Sequence, residues 1–193
     1  MFKSNLLKIT IILTILLTNS YALKKEEIQS EMAERIDNVL VVLKNKSLSK
    51  EEKKNQVISI VNDTFDFELM AKIALGKHSW ETLSEEKQKE FTATFEDKLK
   101  KSYSDKLELY NDQKVKILSL DPYNNTRLQL KTELLGKEGT YSINYNFYEK
   151  NGEWYIYDVD LIGVSIIQTY RQQFSGLLKE KSFDEMFAQF KNQ

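Results

Sequence analysis

The amino-acid sequence predicts an α+β fold: a helical N-terminal half, then a curved four-stranded antiparallel meander that helices cover. Up to about residue 111, apolar side chains recur every three or four positions, the period of a helix face. From about residue 112 the period is two, which is typical of strands with one dry face. Strands grouped together and joined by short turns predict an antiparallel sheet. We therefore expect one domain over residues 23–193, helical at about 23–111, with the sheet and C-terminal helices at about 112–193.

The first 22 residues have the features of a cleavable signal peptide. Lys3 and Lys8 give a basic start, residues 9–17 form a short apolar run, and small residues at Ser20 and Ala22 favour cleavage after Ala22. The apolar run is too short to span about 30 Å of hydrocarbon. We therefore expect an exported protein, and a bacterial periplasm fits this expectation as well as full secretion does.

Four helices are predicted before the sheet, and helix-capping residues mark their ends. The first covers residues 25–45. Ser49, Asp66 and Ser84 stand where N-cap side chains are expected, and Gly76 stands where the short third helix must stop. The fourth helix is long, and its apolar face is rich in aromatic residues.

The strands are predicted from alternating apolar and polar residues. Asn151-Gly152 is a strong hairpin signal, and residues 136–139 supply another turn. In the last strand, alternation predicts one shared apolar face for Tyr155, Tyr157, Val159 and Leu161. Ser165 and Ser182 are expected to begin the two C-terminal helices.

Composition excludes several classes of function. The chain has 28 Lys and Arg against 29 Asp and Glu, which argues against a nucleic-acid binder with a basic face. It has no Cys and one His, so thiolate or multi-His metal sites are excluded and we expect no metal and no cofactor. His78 is expected in an exposed loop or as a helix cap. Asp158 and Asp160 are expected as solvated carboxylates at a strand end, which leaves no catalytic residue and predicts a protein that is not an enzyme.

The ten Phe and ten Tyr residues leave two interpretations open. Many of them lie on the apolar faces of the sheet, the long helix and the C-terminal helix. They either fill a packed core or line a cavity between a curved sheet and its helices, wide enough for an apolar ligand. Composition alone does not decide between the two.

Three stretches, in order along the chain after the signal peptide, resemble one family. They are residues 66–80 (DFELMAKIALGKHSW), residues 154–159 (WYIYDV) and residues 163–174 (GVSIIQTYRQQF). Together they are similar to the MlaC family of periplasmic phospholipid-binding proteins, also called the toluene-tolerance auxiliary family. The sequence departs from the family pattern at Ser79, Glu85 and Thr169, which casts doubt on local geometry and not on membership.

The resemblance implies a fold, a cargo and partners. The fold would be a cone of sheet and helices like that of nuclear transport factor 2, with a helical subdomain. A monomer would carry one phospholipid, with its acyl tails in an apolar pocket and its headgroup in water. It would move this lipid through the Gram-negative periplasm between an inner-membrane ABC transporter complex with MCE-type subunits and an outer-membrane lipoprotein complex, and so maintain outer-membrane lipid asymmetry.

Apolar residues on the facing elements are the expected pocket lining. They are Leu69, Ile73, Phe95, Leu99, Tyr103, Leu128, Leu130, Ile143, Tyr145, Phe147, Tyr157, Val159, Val164, Ile167 and Tyr170. Arg171 is expected either to pair with the headgroup phosphate at the pocket mouth or to form a structural ion pair with a surface carboxylate. The strand residues depend on register, since a shift of one position moves a whole set to the other face.

Two other functions remain open at this stage. A small enzyme of the ketosteroid-isomerase-like class would need a carboxylate and a Tyr facing each other in the cavity, and Asp158 with Tyr145 is the pair available. A non-catalytic adaptor domain would fill its interior with its own side chains.

Overall fold

The computed structural model describes residues 23–110 and 112–193. The predicted signal peptide lies outside them. The helical half contains α1 (Ile28–Lys44), α2 (Lys50–Val61), α3 (Phe67–Leu75), α4 (Lys77–Glu81) and α5 (Glu85–Ser104). His78, which was expected in an exposed loop or as a helix cap, is exposed and lies in the short helix α4. In the part of the chain that is described, no helix combines the length and apolar character needed to cross a membrane.

The second half is an antiparallel sheet followed by two helices. The strands are β1 (Lys114–Asn124), β2 (Arg127–Gly136), β3 (Gly139–Lys150), β4 (Glu153–Leu161) and β5 (Val164–Ser165), and they lie in sequence order. Two helices follow, α6 (Ile166–Leu177) and α7 (Phe183–Lys191). The predicted α+β fold is confirmed. The sheet has one more strand than expected, because the two residues of β5 pair with β4 before α6 begins.

The predicted caps are confirmed at the helix starts. The side chains of Ser49, Asp66, Ser84, Ser165 and Ser182 each accept a hydrogen bond from a backbone N–H in the first turn of the next helix. These bonds satisfy N–H groups that have no partner within the helix. Local chemistry therefore fixes where each of these helices begins.

Asp66 does more than cap α3. Its carboxylate accepts hydrogen bonds from the Leu69 N–H at 2.8 Å, from the Lys150 ammonium at 3.0 Å and from the Tyr148 hydroxyl. Burial opposes ionisation of this group, but the bonds from Tyr148, Leu69 and Lys150 outweigh it and lower the pKa of Asp66. The ionised carboxylate thus joins the start of α3 to the end of β3.

We expect Asp66→Asn to lower the free energy of unfolding at pH 7 by about 1–2 kcal/mol, because its charged carboxylate accepts all three bonds and one donor, Lys150, is itself charged. A lowered pKa in the folded state stabilises the fold above the ordinary value of 3.8, and this contribution is lost as pH falls through the folded-state value. Urea titrations at pH 7 and about pH 3 should therefore show the cost of the substitution shrinking. Lys150→Gln, which removes one of the three partners of Asp66, is the control. An equal cost of Asp66→Asn at both pH values would contradict the lowered pKa of Asp66.

A one-residue bulge in β4 reverses part of the predicted face. Asn146 pairs with Asp158, but the next residue, Phe147, pairs with Ile156, so Tyr157 has no partner on β3. As a result Ile156 is buried in the core. The assignment of Tyr155 and Tyr157 to the face of Val159 is therefore wrong. An alternation rule carried through a bulge gives the opposite face on its far side.

Tyr157 illustrates this correction. Its ring packs edge-on against the ring of Tyr148, with centroids 6.1 Å apart, and the guanidinium of Arg127 lies 4.7 Å from its ring centre. The structure therefore places this residue among aromatic and basic side chains on the other side of the sheet from the core. It does not lie with Val159, the other candidate pocket residue of β4.

The aromatic faces of three helices meet in a packed cluster. Phe91 and Phe95 of α5 contact Phe174 of α6, with ring centroids 5.6 and 6.4 Å apart. Phe174 in turn meets Phe190 of α7 edge-to-face at 5.0 Å. All four rings are buried. A large share of the phenylalanine content therefore forms a core, in which such ring pairs stabilise the packing beyond their buried area.

Two tight turns of the sheet have the same backbone hand and different residues. Asn151 and Gly152 join β3 to β4 with φ of 58° and 84°. Ile162 and Gly163 join β4 to β5 with φ of 55° and 78°. Asn and Gly adopt positive φ readily, but a β-branched residue there is strained. Ile162 is also 64% exposed, so core packing does not explain its presence.

We expect Ile162→Asn to raise the free energy of unfolding by about 1 kcal/mol, because it replaces a strained residue by one suited to this turn. Ile162→Val keeps the β-branch and is the matched control, for which no gain is expected. Urea denaturation of both variants tests this. An Asn variant no more stable than the Val variant would show that the turn stores no strain.

Candidate functional site

A cavity of about 610 Å³ opens beside the aromatic core. It lies between the second half of α5, the first half of α6, the β4–β5 turn and the end of α7. Its apolar wall is formed by Tyr103, Leu161, Val164, Ile166, Tyr170 and Phe190. Its volume falls within the range of about 300–1,000 Å³ that is usual for small-molecule sites.

The rest of the cavity lining is polar and charged. Lys98, Lys101 and Asp105 contribute charged groups, and Thr169 and Gln173 contribute polar ones. Lys101, Asp105, Thr169 and Gln173 are exposed, and Lys98 is half-buried. An apolar wall beside a hydrophilic lining suits an amphiphilic ligand better than a wholly apolar one.

Three of the residues predicted for the pocket line this cavity: Tyr103, Val164 and Tyr170. Others are buried in the core, namely Phe95, Leu99, Leu128, Leu130, Phe147, Val159 and Ile167. Ile73, Ile143 and Tyr145 are partly buried and pack against that core, and Leu69 is also partly buried. Their part in ligand binding stays a prediction.

The sequence prediction missed Leu161, Ile166 and Phe190. Leu161 continues the apolar face of Val159, so the strand pattern contained a signal for it. Ile166 lies between two predicted pocket residues. Phe190 shares a face with Phe183 and Phe187 in α7, at the spacing of a helix stripe. The period shows that such a stripe is buried, but not which part of it borders a cavity.

Tyr170 stands at the boundary between core and cavity. Its ring contacts Phe95 at 5.1 Å and Phe190 at 6.0 Å, both edge-on. Burial raises the pKa of Tyr170 and also that of Tyr103 across the cavity. Both phenols are therefore neutral at physiological pH, and the wall presents aromatic rings with uncharged hydroxyls.

Asp158 fixes the start of α6, which forms one wall of the cavity. Its buried carboxylate accepts hydrogen bonds from the Ser165 hydroxyl at 2.6 Å, the Ile167 N–H at 3.1 Å and the Val159 N–H at 2.8 Å. Burial raises the pKa of Asp158, and the bonds from Ser165 and Ile167 oppose this change. The expectation of a solvated carboxylate is wrong for Asp158, because this group is buried and is bonded to the start of α6.

This bonding gives Asp158 a structural role. A general acid or base needs to reach a ligand, but each oxygen of this carboxylate already accepts a bond from β4 or from the start of α6. Among the residues described, no hydrogen bond joins Asp158 to Tyr145, the pair that an enzyme would use. The same part of the chain contains no group of three or more His, Asp or Glu side chains arranged to hold a metal ion.

Arg171 is engaged with the protein backbone. Its Nη1 donates a hydrogen bond of 2.6 Å to the Leu75 carbonyl at the end of α3. It also lies against Gly76, where a Cβ atom would stand 1.3 Å from Nη1. The alternative of an ion pair with a surface carboxylate has no support among the described residues, and Arg171 is not part of the cavity lining. Its pairing with a headgroup stays a prediction.

We expect Gly76→Ala to lower the free energy of unfolding by about 2–3 kcal/mol, because Gly76 has φ of +93° and a Cβ there overlaps the guanidinium. Arg171→Ala should also destabilise the fold, since the Leu75 carbonyl loses its donor. The double variant should cost less than the sum of the two, because it removes the overlap.

Gly176→Ala is the matched control for this cycle. An added Cβ at Gly176 meets no atom within 4 Å, so a neutral or slightly stabilising effect is expected. Chemical denaturation of all four variants measures the cycle. Strict additivity of Gly76→Ala and Arg171→Ala would contradict the contact.

Comparisons with known proteins agree with one another. A family model described as "MlaC protein" matches residues 33–192. The intermembrane phospholipid transport system binding protein MlaC of Haemophilus influenzae is 25% identical over 140 residues, which are 70% of this chain and 63% of that protein. The match thus spans less than two thirds of that relative.

A phospholipid-binding protein from Ralstonia solanacearum, solved in complex with a phospholipid, has the same fold. Its TM-score is 0.73 at 20% identity, over 85% of this chain and 94% of that one.

Proposed function

Since the chain belongs to the MlaC family, we propose that it is a lipid carrier of the bacterial periplasm that binds one phospholipid by its acyl tails. The observation that carries the proposal is the cavity of about 610 Å³, with its apolar wall and hydrophilic lining. The solved relative in complex with a phospholipid supports the choice of cargo. Export would follow from the predicted signal peptide at residues 1–22.

The energetics of lipid transfer explain why such a cavity is needed. Each CH₂ group moved from water to an apolar site gains about 0.8 kcal/mol, so a two-tailed lipid does not leave a bilayer unaided. The lipid must therefore be about as stable in the carrier as in the bilayer, and it need not be more stable there. Rings such as those of Tyr103 and Tyr170 provide apolar contact, and their neutral hydroxyls face a polar rim at little cost.

Long tails require more apolar surface than the cavity wall offers. We infer that α5 moves away from α6 and the sheet when a lipid enters, since the bonds of Asp158 and Arg171 hold α6 to β4 and to α3. Residues that now pack in the adjoining core would then contact the tails: Phe95, Leu99, Ile143, Tyr145, Val159 and Ile167. The fully buried residues Leu75 and Ile28 stay enclosed in this proposal.

The proposed partners follow from the family. The Haemophilus relative is named as the binding protein of an intermembrane phospholipid transport system. We propose that this chain, as a monomer, exchanges lipid with an outer-membrane lipoprotein complex and with an inner-membrane ABC transporter that has MCE-type subunits. In this scheme the protein transfers its ligand unchanged, and the engaged carboxylate of Asp158 supports a carrier over an enzyme.

Mass spectrometry of solvent extracts from the purified protein tests the cargo. We expect phospholipid at close to one molecule per chain. Thr169→Trp should reduce this amount several-fold while the fold is kept, because Thr169 is exposed on α6 and lines the cavity. A Trp side chain there occupies the space of the ligand.

Gln168→Trp is the matched control, since its neighbouring position on α6 is exposed but is not part of the cavity lining. It should retain the wild-type amount of lipid. Equal lipid content in the two Trp variants would show that the cavity is not the binding site. Wild-type protein free of phospholipid would refute the carrier function itself.

A further inference from the structure

The cavity rim carries an uneven distribution of charge. Lys98 and Lys101 stand one turn apart on α5, and both line the cavity together with one acidic residue, Asp105. The carboxylate of Asp105 faces Lys54 on α2, with 3.9 Å between the charged atoms. Its charge is therefore partly compensated from outside the cavity, and lysines outnumber acidic side chains in the lining.

The two lysines differ in how they are held. Lys98 Nζ donates a hydrogen bond of 2.8 Å to the Lys191 carbonyl of α7, which fixes its ammonium near the cavity. Lys101 is exposed, and no carboxylate among the described residues pairs with it. Its neighbour Lys100 differs from it, because Lys100 forms an ion pair with Glu96 of the same helix. Lys101 is thus a cation in the cavity lining whose ammonium has no hydrogen-bond acceptor among the described residues.

We propose that Lys101, with Lys98 as a second cation, binds the phosphate of the lipid headgroup and selects lipids of net negative charge. This inference rests on the proposed carrier function and adds a headgroup preference to it. An ammonium pairs with a phosphate as a point charge and needs no fixed geometry. Thr169 and Gln173 on the opposite rim offer polar groups to the rest of the headgroup.

The second lysine explains why net charge matters. A zwitterionic headgroup also contains a phosphate, but its own ammonium would be placed beside Lys98 or Lys101 and repelled. An anionic headgroup with a glycerol in place of the amine meets no such repulsion. One exposed ion pair typically changes affinity by a factor of about two to five, and we expect the preference to be of this size.

The experiment is a competition between two headgroups. Delipidated protein is incubated with vesicles of equal parts phosphatidylglycerol and phosphatidylethanolamine with matched acyl chains, then separated and extracted for mass spectrometry. Wild-type protein should be enriched in phosphatidylglycerol by about two- to fivefold over the vesicle. Lys101→Gln should bring the ratio close to that of the vesicle with the total lipid unchanged, and Lys98→Gln should lower it in part.

Two controls separate charge at the rim from other effects. Lys101→Arg keeps the charge and should keep the enrichment. Lys89→Gln removes a lysine from α5 that is exposed and does not line this cavity, and it should also keep the enrichment. Raising the salt concentration should weaken the wild-type preference, because exposed charges are screened.

The outcomes distinguish this proposal from the carrier function. Full lipid loading with the same headgroup ratio in wild type and Lys101→Gln would overturn the headgroup proposal alone. Loss of enrichment in Lys89→Gln to the same extent would also overturn it, since any surface lysine would then suffice. A wild-type protein that takes up no lipid from the vesicles would overturn both proposals.

Discussion

The hydrogen bonds of one buried carboxylate set the geometry on which the cavity depends. Asp158 ends the bulged stretch of β4 and accepts bonds from its own strand and from the first turn of α6. Ser165, which donates to it, also caps that helix through the Gln168 N–H. Strand, turn and helix are thus joined at one point. Since α6 supplies one wall of the cavity and contacts the aromatic core, its placement decides both the shape of the cavity and the packing behind it.

A second set of polar bonds connects α3 to the sheet and to α6. Asp66 ties the start of α3 to β3, and Arg171 of α6 bonds to the last carbonyl of α3. Helices α3 and α6 are therefore linked to the sheet by carboxylates and to each other by a guanidinium. These polar links hold α6 in place, whereas Phe91 and Phe95 of α5 contact α6 through apolar rings, which suits the proposed movement of α5. Such an arrangement agrees with a fold that opens on one side and stays closed on the other.

The parts of this structure that could be predicted from the sequence are those set by local chemistry. Ser49, Ser165 and Ser182 mark helix starts because a hydroxyl can satisfy a free N–H in any context. Asn151-Gly152 marks a hairpin because few residue pairs adopt its backbone angles. The bulge at Tyr157 has no such marker, because its sequence continues the alternation that a regular strand would show. Tyr155 and the candidate pocket residue Tyr157 were therefore assigned to the wrong face.

It was also not possible to predict from the sequence which aromatic residues lie in the core and which line the cavity. Phe95 and Tyr103 lie on the same face of α5, yet one ring is buried among other rings and the other borders open space. Only the positions of α6 and α7 separate them. Likewise, the role of Arg171 depended on a carbonyl 96 positions earlier in the chain. Non-local contacts of this kind leave no trace in periodicity.

The contact between Gly76 and Arg171 also constrains how this sequence can vary over time. The guanidinium of Arg171 occupies the space that a Cβ at residue 76 would need. A change at one position therefore alters which changes are tolerated at the other. A variant that shortens residue 171 removes the overlap at residue 76, but the positive φ there still favours glycine. Substitution can therefore begin at the arginine far more easily than at the glycine. In a lineage that has lost the contact between residues 76 and 171, the arginine should be the first of the two residues to have been replaced.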